Sequence, residues 1–96
     1  MRFGWNEKKA SSNLAKHRVS FEEATTVFGD PLSSTYPDPG HSLEEARFIT
    51  IGESEQGRII VVSHTDDVET IRLISAREAT SGGRQPSALA GASVAR

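Results

Sequence analysis

The hydrophobic period of this chain changes once, at Gly29-Asp30-Pro31, and that switch sets the order of its elements. Before it, apolar residues recur at helical spacing; after it, they alternate as in strands. Two short helices packed on a mostly antiparallel sheet of four or five strands are expected, an α+β domain. Asn6 is a good helix N-cap, and the residues from there to Lys16 are good or neutral helix formers. Ala10, Leu14 and His17 make a thin apolar stripe along that helix. Ser20-Phe21-Glu22-Glu23 is a capping box, with Ser20 as the cap and Glu23 three residues on. Phe21, Ala24, Val27 and Phe28 line one face of the second helix, and Phe21 and Phe28 are its expected core anchors. Gly29 is placed as the C′ residue, and Pro31 stops the helix. The two helices therefore meet at a tight corner near Arg18-Val19.

A short strand is expected over Arg2–Trp5 and another over Leu32–Tyr36. Pro37-Asp38-Pro39-Gly40 reads as a turn. Three further strands are expected: Arg47–Glu53, Arg58–Thr65 and Glu69–Arg77. Short connections at Ser54–Gly57 and Asp66-Asp67 make them an antiparallel meander. Arg58–Thr65 is apolar on both faces in its middle, which marks a central strand. Simple alternation puts Ile71, Leu73 and Ser75 on one side of the last strand, and Arg72, Ile74 and Ala76 on the other.

At 96 residues the chain supports one domain. Of the last sixteen, Ser81–Arg96, eleven are Gly, Ala, Ser or Pro, so the domain is placed at residues 1–80 and 81–96 is read as a disordered tail, dispensable for folding. The chain has no cysteine, which excludes a disulfide scaffold and a thiolate zinc site. No apolar run approaches the ~18 residues of a membrane span, and the N-terminus lacks a signal-peptide stretch. A soluble, cytoplasmic protein without a membrane partner is expected.

Eleven Lys and Arg face thirteen Asp and Glu, spread evenly over both halves. That balance lacks the basic footprint of a duplex-DNA binder. Contact with nucleic acid would have to run through a local cluster of arginines.

One ordered set of residues carries a resemblance. Phe3-Gly4-Trp5-Asn6, Asn13-Leu14-Ala15-Lys16-His17, Val19-Ser20-Phe21-Glu22-Glu23-Ala24, Val27-Phe28 and Asp30-Pro31 open it; Ile51-Gly52, Gly57-Arg58 and Arg72-Leu73-Ile74-Ser75-Ala76-Arg77 complete it. Together they resemble the BrnT toxin family over residues 3 to about 80. The resemblance implies a compact RelE-like fold, with two short N-terminal helices on a mostly antiparallel sheet of four or five strands. It implies a ribonuclease toxin of a type II toxin–antitoxin pair that inhibits translation by cutting RNA. It also implies a BrnA-like antitoxin partner, with DNA met only indirectly through the antitoxin complex. Two features depart from the family pattern: Arg18 stands where glycine is usual, and Ser81–Arg96 replaces an Arg-rich C-terminal helix.

Metal-free RNA cleavage is an internal displacement, in which the 2′-OH attacks the adjacent phosphorus. It calls for cations on the phosphoryl oxygens and for groups that move protons, and for no cofactor. Arg72, Arg77 and Arg47 are the candidate cations, since a guanidinium fork matches phosphate bidentately. A solvated strand edge, or an ion pair with Glu53 or Glu69, is the alternative for each. His64 and Glu53 are the candidate proton carriers; a hydrogen-bonded sheet histidine and a loop-edge carboxylate are their plainer readings. Lys16, His17, Arg58 and Ser75 are candidate RNA contacts, and Trp5 a base-stacking or core residue. His41 reads as exposed, and three histidines without short ligand spacing give only a weak metal signal, so no metal is expected. A second function class stays open: a catalytically weak or inactive protein-binding module that keeps the fold and the antitoxin-binding surface.

Overall fold

The structure, a computed structural model, describes residues 2–38 and 46–79. The tail, His41 and the second half of the Pro37–Gly40 turn lie outside the described residues. Chain order is β1 (Arg2–Gly4), α1 (Glu7–His17), α2 (Phe21–Val27), β2 (Ser34–Pro37), β3 (Arg47–Glu53), β4 (Ile59–Asp66) and β5 (Thr70–Glu78). The five strands form one sheet in the order β1-β5-β4-β3-β2, antiparallel except for the β1–β5 pair. Both helices lie on one face, α1 against β5 and α2 across β3, β4 and β5. The α+β expectation holds.

The helix starts follow the sequence. Asn6 Oδ1 accepts from the amides of Lys8 and Lys9, and Ser20 Oγ from that of Glu23. Phe21, Ala24 and Val27 are fully buried against Ile60, Val62, Ile71, Leu73 and Ala76, with Val19 from the corner. Phe28 and Phe3 pack at the margin of this core, their ring centroids 5.3 Å apart. At the corner, Arg18 takes φ 60° and ψ 30°. That left-handed geometry costs a side-chain-bearing residue about 1 kcal/mol. It is held from both sides: the Arg18 amide donates to the Leu14 carbonyl at 2.9 Å, and its own carbonyl accepts from Arg58 Nη2 at 3.0 Å.

Four expectations need correction. First, Gly29 does not adopt a left-handed cap; positive φ occurs only at Arg18 and Gly57 among the described residues. Instead α2 closes in tight turns, with the amides of Phe28, Gly29 and Asp30 donating to the carbonyls of Thr25, Thr26 and Val27. Second, β2 begins at Ser34, not Leu32. Asp30 Oδ1 accepts from the Leu32 amide and the Asp30 carbonyl from that of Ser33, so the chain is still turning there and Leu32 is exposed. Pro37 enters β2 because an edge strand has amides that need no partner. Third, α1 is not anchored by its apolar stripe, since Leu14 is 48% exposed. Its buried contact is Asn13. That amide donates to the carbonyls of Val19 and Ala76, at 3.0 and 2.8 Å, and accepts from the Ala76 amide at 3.0 Å.

The fourth correction decides where the site lies. Ser63 pairs with Ser75 but His64 pairs with Leu73, which leaves Ile74 as an extra residue in β5. Such a bulge reverses the alternation beyond it. Ala76 therefore joins Ile71 and Leu73 in the core, and not Arg72. Beyond the bulge, Ser75 and Arg77 fall on the face that Arg72 already occupies.

Candidate RNA-binding face and internal polar clusters

The sheet face opposite the helices is built by register. Arg72 of β5 stands opposite Thr65 of β4, and Thr65 stands opposite Arg47 of β3. Two arginines thus flank one hydroxyl in a row across three strands. Thr65 is only 8% exposed although no helix covers it, as expected where two long methylene stems lie to either side. On the β1 side of the row sits Gly4, opposite Arg72. A Cβ there would lie 3.8 Å from Arg72 Nη1, so the guanidinium rests over the glycine. Further along the face come Ser75 opposite Ser63, then Arg77 opposite Val61. Arg2 lies two residues from Gly4 on the same side. None of Arg2, Arg47, Arg72 and Arg77 forms an ion pair with another described residue. Glu53 lies on this face too, at the far end of β3 beside the β3–β4 loop.

The remaining sequence candidates are elsewhere. His64 is on the helix-facing side, 1% exposed. Its Nδ1 meets Asp66 Oδ1 at 2.8 Å and its Nε2 meets Thr50 Oγ1 at 2.7 Å. Thr50 Oγ1 in turn meets Thr35 Oγ1 at 2.7 Å. Phe48 stacks on the imidazole and Phe28 meets it edge-on. Both ring nitrogens are occupied, and the ring is enclosed. Trp5 is half-buried with its ring edge-on to Phe21, at 5.7 Å between centroids. Lys16 and His17 are exposed at the end of α1.

Arg58 is committed to Glu23. Its Nε and Nη2 donate to the two carboxylate oxygens at 3.0 and 2.5 Å, and Nη1 reaches Glu78 at 3.3 Å. Ser54 Oγ also donates to Glu23 at 2.6 Å. The Arg58 hydrogen bond holds the Glu23 carboxyl below its ordinary value of 4.5, against the opposing effect of burial. This cluster ties α2 to the β3–β4 hairpin.

Sequence reasoning passed over Asn13, Thr65, Asp66 and Tyr36. Asn13 had a visible signal, a polar residue three positions after Ala10 on the inner stripe. A cleft of about 740 Å³ runs beside the end of α2, lined by Thr25, Thr26, Phe28, Asp30 and Glu55 among others. Its lining includes Asp30, Glu53 and Glu55 and no Lys or Arg to meet a phosphate.

Comparison with known proteins agrees with this architecture. The family model described as the ribonuclease toxin BrnT of type II toxin–antitoxin systems matches residues 5–82. The chain is also similar to the ribonuclease toxin BrnT of Brucella abortus, known from a crystal structure at 1.1 Å resolution. That match has 26% identity and a TM-score of 0.67, over 83% of this chain and 97% of the other. No curated protein matches. A family-model match over most of the chain, together with this structural likeness, shows that the chain belongs to the BrnT family of type II ribonuclease toxins, a family whose members are paired with an antitoxin.

Proposed function

We propose that this chain is a metal-independent endoribonuclease toxin that binds single-stranded RNA across the outer sheet face, blocks translation, and is neutralised in the cytoplasm by a BrnA-like antitoxin. The observation that carries this reading is the Arg72–Thr65–Arg47 row, with Ser75 and Arg77 brought onto the same face by the Ile74 bulge. Two guanidinium groups about two strand spacings apart, ~10 Å at the backbone, can close on one phosphate between them. They supply the positive charge that a metal ion would otherwise bring to the phosphoryl oxygens. Glu53 closes the opposite end of β3, about 20 Å along the strand from Arg47, so it cannot take the 2′ proton of a phosphate held in that row. His64 and Arg58 support the face from inside. DNA is reached only through the antitoxin complex.

The test is cleavage of RNA by the purified protein. Excess EDTA should leave the rate unchanged. Arg72→Ala should lower turnover by ~10²–10³, with Arg72→Lys rescuing part of it. Chelator sensitivity, or full activity of folded Arg72→Ala, contradicts the reading. One observation favours the second reading, a protein-binding module without efficient cleavage: among the described residues no histidine lies on the outer face. Antitoxin binding without RNA cleavage would select it.

A further inference from the structure

The outer face carries one aromatic ring that neither the fold nor the arginine row uses. Tyr36 is 44% exposed, whereas Phe21 is buried and Phe3, Trp5, Phe28 and Phe48 are half-buried. Its strand is the sheet edge, and its register partner is Ile49, which stands opposite Ser63. Thr35 hydrogen-bonds Thr50 on the helix side, so Tyr36 projects to the opposite side, the arginine face. Arg47 lies two residues from Ile49 along β3, which makes it the diagonal neighbour of Tyr36, ~7–8 Å away and somewhat closer at Cβ. The Tyr36 hydroxyl bonds to no described residue. Core packing does not account for an exposed ring on an edge strand.

We propose that Tyr36 is the base-stacking residue of this face: an unpaired nucleobase lies on its ring while the adjoining phosphates run over Arg47 and Arg72. The proposal rests on the reading of this face as the RNA-binding surface. Four arginines against Glu53 leave the face net positive, the charge of a phosphate binder, and single-stranded RNA is the ligand that presents phosphates and free π-faces together. The step from the ring to Arg47 is short enough for one nucleotide to touch both. A ring at the end of the arginine row would also fix the position of the strand along it, which arginines alone leave free to slide.

The experiment compares binding of two single-stranded 2′-O-methyl oligoribonucleotides, one complete and one abasic throughout. Tyr36→Leu keeps apolar cover over Ile49 and removes the π-face. It should weaken binding of the complete strand by roughly 5- to 150-fold, the span of 1–3 kcal/mol per stacked base. It should leave the abasic strand unaffected, and Tyr36→Phe should bind both as the parent does. Equal binding of the complete strand by Tyr36→Leu overturns the proposal, as does an equal loss on both strands. Loss of antitoxin binding with RNA binding intact assigns the ring to the protein partner and overturns it as well. Arg72→Ala is run in parallel. If it weakens both strands while Tyr36→Leu weakens neither, stacking fails and the RNA face stands. If no variant changes binding, the RNA face itself fails.

Discussion

On the helix-facing side of the sheet, the buried polar side chains are matched to partners: Asn13 to Val19 and Ala76, Glu23 to Arg58 and Ser54, His64 to Asp66 and Thr50. On the opposite side, Arg2, Arg47, Arg72 and Arg77 form no ion pair with another described residue. The same residue type shows the contrast most directly. Arg58 is spent on a buried carboxylate, while Arg72 rests over a glycine and a threonine. Burial forces pairing, because an unpartnered charge in the core costs several kcal/mol. Arginines on an open sheet face that pair with no described residue are under no such force. An overall charge of −2 conceals this segregation.

The largest effects of substitution are expected on the inner face. Phe21→Ala removes a ring that is fully buried between α2 and the sheet and should cost roughly 3–5 kcal/mol in urea denaturation. Unchanged urea resistance contradicts the assigned core. Asn13→Ala leaves two carbonyls and an amide at the α1–β5 junction without their side-chain partner. A loss of about 1–3 kcal/mol is expected by the same measurement. Gly52→Ala sets a Cβ 2.7 Å from Ser33 Cβ and 3.0 Å from Val27 Cγ1, and overpacking of this kind costs about 1–3 kcal/mol.

The Glu23–Arg58 cluster adds a pH signature. Because the folded carboxyl sits below 4.5, the stabilisation is fully present above that pH and is lost as pH falls through the folded value. Stability measured across the acid limb should therefore drop below pH 4.5, and Glu23→Gln should flatten that drop while lowering stability at pH 7. An unaltered acid limb contradicts the pairing. The smallest effect is expected on the outer face: Arg72→Ala should change stability by no more than ~0.5 kcal/mol, since that guanidinium forms no ion pair with a described residue. A loss of 2 kcal/mol or more would mean that the row is structural.

The helix corner was legible because its signals are local. Ser20 and Glu23 are three residues apart, and Asn6 caps amides two and three residues on. The face of Arg77 was not legible, because a bulge at Ile74 is a backbone event with no side-chain signature and it reverses every assignment after it. Nor was the role of Arg58, whose partner Glu23 is thirty-five residues away. Asp66 is two residues from His64 on a strand, so alternation alone puts the two on one side; Thr50, fourteen residues away, needed the β3–β4 register.

On the proposed reading, RNA meets the outer sheet face and not the exposed basic helix α1, which carries Lys8, Lys9 and Lys16. Amide chemical-shift mapping of the 15N-labelled protein, titrated with a single-stranded 2′-O-methyl oligoribonucleotide, tests this directly. Shifts are expected to concentrate at Arg47, Thr65, Arg72, Ser75 and Arg77, with α1 unmoved. Shifts confined to α1, with the outer face of the sheet silent, would contradict it.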